Sequence, residues 1–216
     1  MPVIKTLEAE IKSNRVKDAA RRALYKKHGY DTEKERGFII ECVLPVYEEI
    51  LEVGTGKGHF AIELVKRGYK LTSVDVASEN QTIARLNLAY LGMEEAVTLK
   101  HENAEKLSFK NGVFNTVFMV NTLHHLENPF KVLSELLRVT CLSGRMIISD
   151  FTEKGFAMLD TIHAIEGGVH ETGKITLKDI QCHLTNMHMD VQTFKSDYQE
   201  ILVVRHKKAS DFDLFA

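Results

Sequence analysis

The sequence predicts an α/β protein with an open, mostly parallel sheet of seven strands, helices on both faces and an antiparallel hairpin at the C-terminal end. From residue 49 onward, short segments rich in branched apolar residues alternate with segments of helical periodicity. The first apolar segment runs directly into the glycine-rich turn GTGKG, and the last two have no helix between them. Strands that alternate with helices form parallel sheets covered on both faces, whereas two consecutive strands without a helix pair antiparallel.

Two helices are expected ahead of the sheet. Residues 3–25 space their apolar side chains along one face of a helix. A second helical pattern runs from Thr32 to about Leu44, just before a proline that cannot continue it. We therefore divide the chain into a helical segment over 1–48 and a sheet domain over 49–210.

Five strands are expected in the parallel part of the sheet, and they read EEILEV, KLTSVDV, AVTLKHEN, NTVFMVN and RMIISDF. Helices are expected after the first, second and fourth strands, over HFAIELVKRG, SENQTIARLNLAYLG and NPFKVLSELLRVTCLSG. Ser78 stands three residues before Gln81, which predicts a capping box, and Gly144 is the expected end of the third helix. A helical insert over 153–167 and a helix over TLKDIQCHLTNMHM lead to the hairpin of DVQTFKSDY and EILVVRHKK.

Composition and charge argue against several classes of protein. The net charge is −2, whereas dedicated nucleic-acid binders usually carry a basic surplus. The three cysteines form no CxxC pair, which disfavours a thiolate zinc site, and their surroundings predict buried thiols in a reducing compartment. No apolar run is long enough to span a bilayer, and the N-terminus is too polar for a signal peptide. These features predict a cytoplasmic location.

The stretch ILEVGTGKGHF carries the strongest functional signal. Ligands of open α/β sheets bind at the carboxyl ends of the strands, where glycines let the backbone approach a nucleotide closely. A dinucleotide fingerprint needs GxGxxG, but His59 occupies the third glycine position. Glu52 would repel a pyrophosphate and suits a positively charged ligand, while Asp75 at the end of the second strand suits ribose hydroxyls. A P-loop is excluded because Lys57 is not followed by Ser or Thr.

Together these segments resemble class I S-adenosylmethionine-dependent methyltransferases, which have a Rossmann-like fold. ILEVGTGKGHF resembles their first motif, and SVDVAS resembles their ribose-binding segment. HENAEKLSFKNGVFNTVFMVNTLHHLENP and LSGRMIISDF resemble later segments of the small-molecule methyltransferases, including the ubiquinone/menaquinone-biosynthesis-like group. The resemblance covers about residues 48–151 in the correct order.

The resemblance implies a site for S-adenosylmethionine, with S-adenosylhomocysteine as product. It implies that Glu52 neighbours the methionine ammonium, that Asp75 accepts from both ribose hydroxyls, and that Val76 packs on adenine. Helices such as those in 1–48 would cover the cofactor and, with an insert at about 152–175, shape the acceptor pocket. The cofactor-binding set that the resemblance implies is Glu52, Gly54, Thr55, Gly56, Gly58, Asp75, Val76, Asn103, Ala104 and Asn121.

The methyl acceptor is expected to be a small molecule. The fourth strand ends NTLHH instead of the NPPY-type tetrapeptide of enzymes that methylate adenine or glutamine, and no Pro-Cys pair supports a covalent route to cytosine. Two alternatives stay open: an RNA methyltransferase that uses the basic first helix, and a cofactor-binding subunit without catalysis. Hydride transfer with a nicotinamide cofactor is disfavoured by the missing third glycine.

Four residues are candidates for chemistry at the acceptor. His124 and His125 follow the fourth strand, and His170 and Glu171 are expected on a loop after the fifth strand. We expect His170 or Glu171 to orient or deprotonate the acceptor. A zinc site in this region is an alternative to a catalytic role, but the prediction itself includes no metal. The residues considered for zinc are His163, Glu166, His170 and Glu171.

Overall fold

The computed structural model describes residues 2–170 and 172–207, with side chains from residue 7 onward. The helices are α1 (Pro2–Lys27), α2 (Thr32–Glu41), α3 (His59–Val65), α4 (Ser78–Leu91), α5 (Pro129–Val139), α6 (Glu153–Ile165) and α7 (Leu177–Asn186). The strands are β1 (Ile50–Val53), β2 (Leu71–Asp75), β3 (Val97–His101), β4 (Phe114–Val120), β5 (Thr140–Phe151), β6 (Asp190–Lys195) and β7 (Gln199–Arg205).

The seven strands form one sheet in the order β3-β2-β1-β4-β5-β7-β6. The first five strands of the chain pair in parallel. Strand β7 pairs antiparallel with both β5 and β6. The predicted fold class, an open Rossmann-like sheet that ends in an antiparallel hairpin, is confirmed.

Both faces of the sheet are buried, because successive side chains of its central strands enter opposite cores. In β4, Val117 packs in a core shared with α5 and α7, whereas Phe118 packs in a core shared with α2, α3 and α4. A smaller cluster joins Tyr30 to Leu159 and Ile162 of α6. The helical N-terminal segment is therefore tied to the insert after β5.

Two local predictions were wrong. The residue that caps α4 is Ala77, which offers no side-chain hydrogen bond, and the Gln81 amide donates instead to the Lys100 carbonyl oxygen. Helix α5 ends at Val139, and the chain continues directly into β5. Gly144 therefore lies within a strand, where an added Cβ would come within 2.8 Å of the Asn115 carbonyl oxygen. Close backbone approach, not helix termination, accounts for this glycine.

Two expectations from composition can be compared with the structure. Cys42 and Cys141 are half-buried free thiols, but Cys182 is exposed, so the expectation of three buried thiols was wrong. Within residues 2–170 and 172–207, no helix is both long enough and apolar enough to cross a bilayer.

The topology fixes where a ligand can approach. Strand β1 pairs with β2 on one side and with β4 on the other, so β2 and β3 extend the sheet in one direction and β4 and β5 extend it in the other. The loops that follow these strands diverge at their carboxyl ends and leave a crevice between them.

Candidate functional site

A cleft of about 630 Å³ occupies this crevice. It lies over the ends of β1, β2 and β4 and is walled on one side by Arg36 of α2. Nine residues of the predicted cofactor set line it: Glu52, Gly54, Thr55, Gly56, Asp75, Val76, Asn103, Ala104 and Asn121.

The glycine-rich turn serves packing as well as access. Gly54 has a φ of +89°, and an added Cβ would lie 2.1 Å from Oγ1 of Thr122, in the loop after β4. Gly58 does not line the cleft as expected. It precedes α3 with a φ of +77°, and an added Cβ would meet the Cβ of Ala84 in α4 at 3.0 Å. Gly58 thus permits close packing of two helices, while Gly56 borders the cleft.

Asp75 ends β2 and fixes the turn. Its Oδ2 accepts a hydrogen bond from the Gly56 amide at 2.7 Å, and its Oδ1 accepts one from the Ala77 amide at 2.8 Å. Each carboxylate oxygen keeps a further lone pair for a ligand. Val76 beside it is 65% exposed and offers an apolar surface to the cleft.

Glu52 is buried at the end of β1 and is 1% exposed. Its carboxyl group accepts a hydrogen bond from Ser73 Oγ, which also pairs with Thr55 Oγ1 at 2.7 Å. Burial raises the pKa of Glu52 to about 8, although the hydrogen bond from Ser73 and the charge of Arg36 act in the opposite direction. In the free protein this side chain is therefore mostly protonated at pH 7.

Two asparagines complete the cleft. Asn121 has a φ of +52°, and its backbone N–H donates to the Ser149 carbonyl oxygen at 2.8 Å. Its side-chain Oδ1 is buried and has no hydrogen-bond partner among the described residues. Asn103 Oδ1 accepts from the Glu105 amide at 2.8 Å, which leaves its NH₂ group free to face a ligand.

His59, at the start of α3, links the N-terminal helix α1 to the cleft, although it was not among the predicted site residues. His59 lines the cleft, and its Nε2 lies 3.2 Å from a carboxylate oxygen of Asp18 in α1. Burial and then the charge of Arg36 hold the pKa of His59 well below 6.5. Tyr30 is buried, and its hydroxyl accepts from the Gln199 amide at 3.1 Å.

Three imidazoles meet beside the cleft, and we call His124, His125 and His170 the histidine group. The ring centroids lie 4.0 Å apart for His124 and His125, 5.1 Å for His124 and His170, and 5.6 Å for His125 and His170. One ring nitrogen of each residue lies within 4.8 Å of one from each of the others. Burial, followed by the charges of the two neighbouring imidazoles, lowers the pKa of His125 to about 4.

Asp150 orients the first member of the histidine group. One carboxylate oxygen lies 2.6 Å from His124 Nδ1, and the other accepts from the His124 amide at 3.1 Å. Both residues are buried. An imidazole that donates its Nδ1–H to a carboxylate presents the lone pair of its Nε2.

The residues considered for zinc are not brought together as a set. His163 stacks on His170 with ring centroids 4.8 Å apart. Glu166 turns away and pairs with Arg21 of α1 at 3.0 Å. Glu171 lies outside the described residues. The structure instead groups His170 with the two histidines that follow β4.

The histidine group lies between two cavities. His125 lines the cleft, whereas His124 and Asp150 line a second cavity of about 730 Å³. The wall of this second cavity includes Phe156 of α6 and residues 172, 173 and 175–178.

Sequence reasoning missed Asp150, although a signal for it existed. It is the next-to-last residue of the segment IISDF on β5, which is hydrogen-bonded to β4, so its carboxylate falls beside the residues that follow β4. The partnership of His59 with Asp18 had no comparable signal, because α1 and the glycine-rich turn are connected only through tertiary packing.

Comparison with known proteins agrees with this architecture. Residues 51–148 match a family described as a methyltransferase domain. A ubiquinone/menaquinone biosynthesis C-methyltransferase of Zymomonas mobilis is 30% identical over 115 residues, which cover 52% of this chain and 47% of that protein. A phosphatidylethanolamine N-methyltransferase of Cereibacter sphaeroides is 29% identical over 99 residues, which cover 46% of this chain and 48% of that protein.

A solved structure shows the same fold. The crystal structure of a SAM-dependent methyltransferase from Aquifex aeolicus aligns with a TM-score of 0.56 at 21% identity, covering 73% of this chain and 81% of that one. The chain spans about half the length of the two relatives described above.

Proposed function

We propose that this chain, whose residues 51–148 match a methyltransferase domain, transfers a methyl group from S-adenosylmethionine to a small-molecule acceptor. The observation that carries the proposal is the cleft, because nine residues of the set expected to bind the cofactor line one continuous space. Its volume of about 630 Å³ lies within the range of small-molecule sites.

The residues of the cleft fit the cofactor. Asp75 has lone pairs left for two ribose hydroxyls after accepting from two backbone amides. Val76 offers an exposed apolar surface for a base. Asn121 Oδ1 is buried and lacks a partner among the described residues, so a donor from a ligand would satisfy it. When bound, S-adenosylmethionine supplies an electrophilic methyl group on a sulfonium.

We place the methyl acceptor in the second cavity, next to the histidine group. His124 lines that cavity, and Asp150 holds its ring at Nδ1, so that the Nε2 lone pair is available at the acceptor site. The 152–175 insert supplies part of the cavity wall, and α2 supplies Arg36 to the cleft. These contacts support the proposal that the N-terminal helices and the insert shape the two binding spaces.

The test is calorimetric titration of the protein with S-adenosylhomocysteine, with NAD as a parallel titrant. We expect the former to bind and the latter not to. Asp75→Ala removes two hydrogen bonds to a charged acceptor, each worth about 1.5–3 kcal/mol, so its affinity should fall by about 100-fold or more.

The matched control is Asp190→Ala, which removes an exposed carboxylate on the edge strand β6 and should leave binding unchanged. Equal affinities in wild type and Asp75→Ala would refute the assignment of the cleft. Once binding is established, transfer of a labelled methyl group from S-adenosylmethionine to a panel of small acceptors tests the reaction itself.

A further inference from the structure

We propose that the histidine group is a site for a divalent transition metal, Zn²⁺ foremost, whose open coordination position binds a hydroxyl or thiol of the methyl acceptor. Metal binding is inferred from the three side chains alone. The assignment of the fourth ligand to the acceptor rests on the proposed function.

The donor set and its spacing support a metal. Each imidazole contributes a ring nitrogen, and these atoms lie within 4.8 Å of one another. Around a tetrahedral ion with metal–nitrogen bonds of about 2.0–2.1 Å, the nitrogens would lie about 3.4 Å apart, so the side chains must close by up to about 1.4 Å. Three histidines are a typical ligand set for a catalytic zinc ion, which keeps its fourth position for water or substrate.

Asp150 provides the support that a histidine ligand usually has. Metal-bound imidazoles commonly donate their other N–H to a carboxylate, which fixes the ring and increases its basicity. His124 has this arrangement, with its Nδ1 2.6 Å from Asp150 and its Nε2 left for the metal.

His170 gives a second, independent observation. Its side chain is only 4% exposed, and its Nδ1 is buried without a hydrogen-bond partner among the described residues. The carboxylate of Asp160 lies 3.6 Å from this nitrogen, beyond hydrogen-bond distance. A buried polar atom without a partner is unfavourable, and a metal ion held by the histidine group would supply one.

The position of the group suggests what the ion would do. His125 faces the cleft and His124 faces the second cavity, so a ligand between them can reach both spaces. An acceptor X–H would replace the metal-bound water: the metal–water bond and the X–H bond break, a metal–X bond forms, and the proton passes to solvent. The ion lowers the pKa of X–H as it does that of bound water and leaves X ready to act as a nucleophile.

The experiment uses protein without a histidine tag, freed of metal by a chelator and titrated with Co²⁺ as a spectroscopic probe and Zn²⁺ as a competitor. We expect one ion per chain, with visible absorption of four-coordinate Co²⁺ that Zn²⁺ abolishes. Adding 2-mercaptoethanol to the Co²⁺ form should produce a sulfur-to-cobalt charge-transfer band, because the thiol enters the open position.

The variants separate ligation from general damage. His170→Ala and His125→Ala should lose the bound ion, whereas His101→Ala, an exposed histidine on the edge strand β3, should bind it as wild type does. Asp150→Asn should weaken metal affinity by roughly 10–100-fold, as expected for a residue that positions a ligand. Binding of S-adenosylhomocysteine, measured on each variant, reports whether the cleft is intact.

Each outcome decides a separate claim. No stoichiometric ion in the wild type, or an equal ion content in His170→Ala, overturns the metal site. A bound Co²⁺ that gives no band with thiol overturns the role assigned to the fourth position. Metal binding without any binding of S-adenosylhomocysteine would retain the metal site and reject the proposed function.

Discussion

Glu52 shows how a single residue can couple protonation to ligand binding. Its carboxyl group is buried between β1 and β2, where Ser73 donates the hydrogen bond that stabilises the ionised form. Burial nevertheless dominates and raises the pKa of Glu52 to about 8. An ammonium group placed beside it would favour the carboxylate and reverse this effect, so a cationic ligand should displace the proton.

The affinity for S-adenosylhomocysteine should therefore rise with pH. Below about pH 8 the free protein must release a proton from Glu52 when the ligand's ammonium binds, and above it no proton is released. The affinity is expected to increase by about tenfold per pH unit between about pH 6 and pH 8 and then to level off. Titration calorimetry in buffers of different ionisation enthalpy should detect nearly one proton released at pH 7.

Glu52→Gln is the control for this prediction, because it keeps the shape and a hydrogen-bond acceptor for Ser73 but cannot titrate. Its affinity should be weaker at pH 8 and almost independent of pH. If the variant kept the wild-type slope, the coupled proton would have to belong to another group.

At the scale of the elements, the caps of α4 and α7 differ in a way that can be measured. At α7, Thr176 Oγ1 accepts from the Asp179 amide and Asp179 Oδ2 accepts from the Thr176 amide at 2.9 Å, which forms a capping box. At α4, the N-cap position belongs to Ala77 and makes no such bond.

Thr176→Ala should lower the free energy of unfolding by about 1 kcal/mol, because it leaves amides at the start of α7 without their partner. Ser78→Ala should change it by less than about 0.5 kcal/mol, since Ser78 is already a helical residue and its side chain caps nothing. Urea denaturation of the two variants beside the wild type measures both effects. A larger cost for Ser78→Ala would support the cap that the sequence predicted.

The sequence predicted most elements because their signals are local. The alternation of strands and helices, the glycine-rich turn and Asp75 at the end of β2 can all be found within a short window. The end of α5 could not be predicted in this way. Apolar periodicity continues across Val139 into β5, and the strand is recognised only by its pairing with β4.

The residues of the candidate site were likewise predictable only where their sequence signals are local. The residues expected to bind the cofactor lie at or just after the ends of β1, β2, β3 and β4 in sequence motifs, and nine of them line the cleft. The histidine group depends instead on contacts between distant segments: His170 lies 45 or more positions from the other two members. Sequence spacing suggested His163 and Glu166 as its neighbours, whereas the fold supplies His124 and His125.

For the molecule as a whole, three ionisable groups with shifted pKa values set opposite trends of stability with pH. His59 and His125 have lowered pKa values in the folded chain, so the unfolded chain binds more protons up to about pH 6.5. Raising the pH to that point therefore stabilises the fold. Glu52 acts in the opposite direction, because its folded pKa of about 8 lies above the value of 4.5 expected for an unfolded chain.

The effect of the two histidines fades between pH 6.5 and about pH 7.5, as the unfolded chain loses these protons too, and the effect of Glu52 then dominates. The folded chain then holds a proton that the unfolded chain has lost, so each step in pH toward 8 favours unfolding. The free energy of unfolding of the ligand-free protein should fall by roughly 1 kcal/mol between pH 6.5 and pH 8. Urea denaturation at a series of pH values measures this decline.

Glu52→Gln should remove the decline and be the more stable protein at pH 8, and a parallel decline in the variant would show that Glu52 is not its source. Saturating S-adenosylhomocysteine should also flatten the decline in the wild type, because the bound ammonium stabilises the carboxylate that the fold alone disfavours.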